Sequence, residues 1–213
     1  MSKIKQGILG GFSGKTGTVV GSSWKGIAVM RGIAPSVSNP RTAAQLAQRA
    51  RFSTVIKFLK PLTPFLRIGF KNEAVGMTGF NAAMSYTVKN ALMGTYPVYE
   101  IDYTKALVSM GTLPGALNPA VTSTTTGKIE YTWEDNSSDT NASPTDKALL
   151  VVYNPTRSQA VTVVDGNTRT SGSQTITLPD HFSGDEVQCF LSFANENQSV
   201  LSNSEFAGGI IVS

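Results

Sequence analysis

From Tyr96 to Ser213 the chain is a succession of short runs rich in Val, Thr, Ser and Asn, separated by turn-forming residues, with no convincing helical periodicity. Strand-length candidates fall at 105–111, 128–134, 148–153, 159–164, 173–178, 186–194 and 206–212. Seven strands at this spacing predict two antiparallel sheets packed face to face, because each strand has an apolar side to bury and no helix of its own to bury it against.

One run carries more detail. Ile129, Tyr131 and Trp133 alternate with polar residues, so their side chains share one face of a strand and Trp133 is expected at the centre of the sandwich. The run resembles the tryptophan strand of fibronectin type III domains, and the strand count suits an immunoglobulin or fibronectin III-like sandwich. Asp165-Gly166 has the composition of a hairpin turn. Residues 135–146 read as an exposed polar loop.

The front of the chain is built differently. Residues 7–32 hold eight of the twenty glycines, with β-type runs at 16–24 and 27–33 around Lys25-Gly26. These predict a twisted hairpin whose glycines let another backbone approach closely. A bare hairpin is marginal in water, so it is expected to lean on a helix or on a neighbouring subunit. Asn39 and Pro40 suit a helix cap and first turn, and the stripe Phe52, Val55, Ile56 and Leu59 carries that helix to about Leu59. Thr63-Pro64 opens a second helix reaching about Phe70, and a third spans 80–93 before Gly94. The predicted fold is α+β, with a glycine-rich hairpin and three helices in 1–95 and an all-β domain in 96–213. The link at 94–102 is short and partly apolar, which predicts fixed docking between the helices and the sandwich.

Charge is divided just as sharply. Residues 1–72 contain twelve Lys or Arg and no Asp or Glu; the remaining chain holds six basic and all fourteen acidic residues. Such asymmetry predicts an anionic partner for the front part, whether nucleic acid, an acidic protein surface or the acidic half of another copy. The candidate contact residues are Lys15, Trp24, Lys25, Arg31, Arg41, Arg49 and Arg51. Two function classes follow. One is a non-enzymatic structural protein that self-associates or joins other structural subunits through its front part, with the sandwich as an outward module. The other is a nucleic-acid-binding protein that uses the acid-free stretch on phosphates.

Catalytic readings find little to stand on. Gly14-Lys15-Thr16 suggests a phosphate loop, but the position where the first glycine belongs is Leu9, and no acid stands nearby for magnesium. His181 is the only histidine and lies outside any Gly-x-Ser-x-Gly elbow. Cys189 is the only cysteine, so neither an internal disulfide nor a cysteine zinc site is possible. Asp135, Asp139 and Asp146 lack the spacing of a calcium loop, and Asp180, Asp185 and Glu186 read as surface groups at a turn. No catalytic residue, metal site, cofactor or small-molecule substrate is expected. No apolar run reaches the ~20 residues of a membrane span, and the opening lacks a signal-peptide core, so cytoplasmic synthesis is expected.

The motifs also carry a resemblance. Residues 14–21 (Gly-Lys-Thr-Gly-Thr-Val-Val-Gly), Trp24-Lys25-Gly26 and Arg31 form one block. Asn39-Pro40-Arg41-Thr42, Gln45, Gln48-Arg49 and Phe52 form a second, followed by Phe58-Leu59 and Pro61-Leu62. With the segment 107–115, Thr132-Trp133 and Asp146-Lys147-Ala148, they make the chain similar to an uncharacterised protein family of Bacteroidota over nearly its whole length. That resemblance implies no activity and transfers no functional residue. The order of the opening motifs is also similar to small proteins of tailed-phage and prophage structural regions, which implies a virion or virion-like component.

Overall fold

Two residues with positive φ close the hairpin that the glycine pattern predicts. The computed structural model describes residues 3–4, 10–34, 36 and 41–213. Its first elements are β1 (Lys3–Ile4), β2 (Phe12–Thr16), β3 (Val19–Trp24) and β4 (Ile27–Gly32), an antiparallel sheet in that order. Lys25 at φ 48° and Gly26 at φ 86° join β3 to β4, the left-handed pair whose twist matches that of the flanking strands. Gly21 permits close approach: a Cβ there would run into the carbonyl and ring of Phe12. Contacts group Met1–Thr42 as one compact unit and Ala43–Ser213 as another.

The second unit begins with α1 (Ala43–Leu59), α2 (Thr63–Gly69) and α3 (Gly79–Asn90). Asn39 and Pro40, the expected start of α1, lie outside the described residues. Pro64 sits in the first turn of α2, and the Thr78 hydroxyl caps α3 by accepting the Asn81 N–H at 3.2 Å. The helix expected to reach 93 stops at Asn90, because Leu92–Thr95 (β5) pairs with Val98–Ile101 (β6) in a hairpin. Gly94, at φ 90°, lies where a Cβ would meet the Val98 carbonyl.

The remaining strands are β7 (Leu117–Thr122), β8 (Lys128–Glu134), β9 (Lys147–Asn154), β10 (Gln159–Val163), β11 (Ser173–Thr177), β12 (Glu186–Ala194) and β13 (Glu205–Ile211). They form one sheet ordered β10-β9-β12-β13 and another ordered β11-β8-β7. The described residues thus make an α+β fold of three helices and thirteen strands in four antiparallel sheets.

Strand β9 decides how the layers stack. Its even residues Ala148, Leu150 and Val152 meet Ile129, Tyr131 and Trp133 across the inter-sheet core. Its odd residues Leu149, Val151 and Tyr153 face the other way and share a core with Phe58, Leu59, Phe65 and Leu66 from the helices and with Leu62 and Phe70, which flank α2. A strand apolar on both faces needs cover on both. Sequence reasoning grouped the helices with the hairpin; their buried faces instead complete the second core of the sandwich.

Three local expectations are corrected. Residues 105–111 form no strand: Val108 and Ser109 donate their backbone N–H groups to Ser204 Oγ at 2.9 and 3.4 Å, and Met110 donates to the Gly69 carbonyl at 2.9 Å. The missing strand is β7, an edge strand with a register shift between Leu117 and Ala120, where Asn118-Pro119 is tolerated. Asp165-Gly166 is not a hairpin turn, since it lies between β10 of one sheet and β11 of the other. The loop at 135–146 is not wholly solvated. Asp146 is 1% exposed, because its carboxylate receives the guanidinium of buried Arg169, whose Nη2 and Nε donate to Oδ2 at 3.1 and 3.2 Å.

Candidate interaction surface

The N-terminal sheet carries its side chains in rows fixed by strand register. Lys15 pairs with Val20, which pairs with Arg31; Ser22 pairs with Val29; Trp24 pairs with Ile27 beside the turn. Directly opposed residues share a face of the sheet, and that face continues at every second residue along each strand. One face therefore presents Lys15, Val20, Arg31, Ser22, Val29, Trp24 and Ile27 together, with Lys25 at its end in the hairpin turn.

That face is open. Trp24 is 55% exposed, Ile27 68% and Val29 45%, and on the opposite face Met30 is 68% exposed. Every residue of β4 is exposed. Among the described residues the order β1-β2-β3-β4 leaves β4 at an edge, where alternate backbone N–H and C=O groups point away from β3. Residues 1–72 contain no acid, so the cations of this face have no carboxylate within their own sheet. Chemically, the surface offers an aromatic platform, aliphatic contact area, guanidinium and ammonium donors, and, among the described residues, the edge strand β4.

The sequence-predicted contact residues divide between the two units. Lys15, Trp24 and Arg31 share one face, and Lys25 holds the turn beside them. Arg41 is exposed in the irregular segment before α1. Arg49 and Arg51 belong to the other unit, on α1, where residues two apart do not share a face. Arg51 places its guanidinium over the Tyr99 ring at 5.7 Å from the centroid.

The residue pattern marks Ile27 and Val29 as strand formers and not as contact residues. Their β-branched character was legible; their exposure was not, because alternation marks an apolar face without saying what covers it. The burial of Asp146 and Arg169 was also missed. They are distant in sequence, and neither lies in a recognisable motif.

The model of a family of unknown function (DUF6266) matches residues 11–208. No curated protein matches the chain. Among the described residues, no helix is long and apolar enough to cross a membrane.

Proposed function

We propose that this chain, which belongs to that family of unknown function, is a non-enzymatic structural or assembly protein whose N-terminal sheet is its contact element. One observation carries the reading: all the buried apolar side chains of the described residues lie at Val55 or later. Among the described residues the β1–β4 sheet contributes no buried apolar side chain, and a few strands without a covered apolar face are marginal in water. A face bearing exposed Trp24, Ile27 and Val29 gains stability when a partner covers it. A second copy supplies that cover in this reading, with the open β4 edge and the apolar rows as the contact. The acid-rich remainder of a neighbouring copy offers an additional anionic surface to Lys15, Lys25 and Arg31.

The finer form of the reading makes the sheets of the second unit an outward immunoglobulin or fibronectin III-like module. The division into β7-β8-β11 and β10-β9-β12-β13, with Trp133 between the sheets, supports it. A virion or virion-like setting rests on the resemblance of the opening motifs alone.

Light-scattering mass after size exclusion, at low and high salt on nuclease-treated protein, tests the proposal. Defined assemblies that persist in high salt and dissociate in the Ile27→Lys/Val29→Lys variant are expected. A 22.6 kDa monomer at both salts would sink the self-assembly reading.

A second reading is favoured by the presence of Trp24 on the same face as Lys15 and Arg31. Aromatic stacking beside cations is how single-stranded nucleic acid is held without base readout. Affinity for an oligonucleotide would then fall with salt, with a logarithmic slope of about −0.7 per phosphate contacted. Trp24→Ala would weaken it without changing that slope.

A further inference from the structure

A cavity of about 410 Å³ opens in the second unit beside α1, β6 and the end of β9. Its lining includes Phe58, Tyr99, Tyr103, Tyr153, Lys57 and Glu100. The rings are mutually braced. Phe58 meets Tyr153 edge-on at 5.0 Å and 79°, and meets Tyr103 at 5.8 Å and 71°. Tyr103 and Tyr153 lie 6.2 Å apart, and Phe58 and Tyr153 are buried in the core between the helices and the sheet. Arg51 covers one side of Tyr99. The aromatic lining is therefore held by packing rather than carried on a loose loop.

We propose that this cavity binds a neutral saccharide of one or two pyranose rings. The volume lies in the range of small-ligand pockets, roughly 300 to 1,000 Å³. Its charges are one ammonium, Lys57, and one carboxylate, Glu100, so the lining carries no net charge to select an anion or a cation. Each charge is a strong hydrogen-bonding group: Lys57 donates and Glu100 accepts. The Tyr103 hydroxyl carries its proton at neutral pH, as any tyrosine does, and burial pushes its pKa higher still, to about 12, so it can donate. Apolar ring surface combined with donors and acceptors matches a pyranose, which presents C–H faces and an equator of hydroxyls. A proline-rich peptide requires a ridge of exposed rings, whereas here Phe58 and Tyr153 are buried and only the half-buried Tyr99 and Tyr103 offer ring surface to a ligand.

Saturation-transfer NMR on the full chain tests this with maltose, cellobiose, lactose and chitobiose as probes, and a proline decamer as the competing ligand. At least one disaccharide is expected to show transfer to its ring C–H protons. Glu100→Gln is expected to weaken that binding about tenfold. Tyr103→Phe is expected to weaken it less than Tyr103→Ala, since it keeps the ring. Glu100 is exposed, so Glu100→Gln reports on binding even if Tyr103→Ala unfolds. No transfer from any probe at millimolar concentration overturns the proposal. So does binding unchanged by Glu100→Gln, or transfer to the proline decamer alone. The Ile27→Lys/Val29→Lys variant is expected to retain the sugar signal, because the cavity lies wholly within Ala43–Ser213, so the assembly reading and this one fail separately.

Discussion

Arg169 shows how much one side chain holds in place. It is fully buried, donates to Asp146, to Asn136 Oδ1 at 2.6 Å and to the carbonyls of Pro114 and Gly115 at 3.1 and 3.2 Å, and lies 3.9 Å over the Phe193 ring. Burial pulls its pKa down while Asp146 pushes it back up. Replacing it with methionine fills similar volume but leaves the Asp146 carboxylate buried without its partner. Arg169→Met should therefore cost about 3–5 kcal/mol in urea denaturation. Asp185 sets a pH dependence instead. Its carboxylate accepts from Asn154 Nδ2 at 2.8 Å and pairs with Arg157, and these hydrogen bonds hold it below the usual carboxylate range. A depressed folded pKa favours the folded state above the ordinary aspartate value of about 3.9, and that contribution is lost as pH falls through the folded value. Asp185→Asn should flatten this part of the acid limb, measured by urea melts between neutral pH and about pH 3.

At the level of elements, the N-terminal sheet depends on places where a side chain cannot fit. A Cβ at Gly21 collides with the Phe12 backbone and ring, and neither strand can shift without breaking the β2–β3 ladder. Gly21→Ala should loosen this sheet by about 1–3 kcal/mol. Faster amide exchange in β2 and β3 is expected, with the cooperative unfolding of the second unit unchanged. At the hairpin turn, Gly26→Ala meets a left-handed φ of 86° with no steric neighbour. Its cost is conformational alone, about 1 kcal/mol, read by the same exchange measurement as a smaller effect.

For the molecule as a whole, the distribution of buried side chains separates the two units energetically. Among the described residues, both hydrophobic cores are built from Val55 onward, so the fragment 43–213 keeps the side chains that make them. The fragment 43–213 should unfold cooperatively with stability within about 1 kcal/mol of the full chain, measured by urea denaturation with Trp133 as reporter. If the N-terminal sheet is the assembly element, the fragment should be monomeric under conditions where the full chain associates. A fragment that still assembles would move the contact into the second unit.

Elements whose local chemistry permits one solution were legible in the residues alone. The runs at 128–134 and 186–194 match β8 and β12 residue for residue, because alternation or an unbroken apolar run bounded by turn residues leaves little choice. The Lys25-Gly26 turn was legible for a similar reason: a left-handed pair between two strand-forming runs makes a hairpin. What covers each apolar face is visible in the folded structure and nowhere in the local pattern. Folding gathered apolar side chains of α1–α3 into one core with the odd side of β9, withdrew Asp146 from its loop to meet Arg169, and bound 105–111 through Ser204 rather than through a ladder. It also left Trp24, Ile27 and Val29 uncovered and assembled Phe58, Tyr99, Tyr103 and Tyr153 around one cavity. Periodicity records that a surface must be buried, while the partner that buries it lies far along the chain or, for the N-terminal sheet as proposed, in another copy.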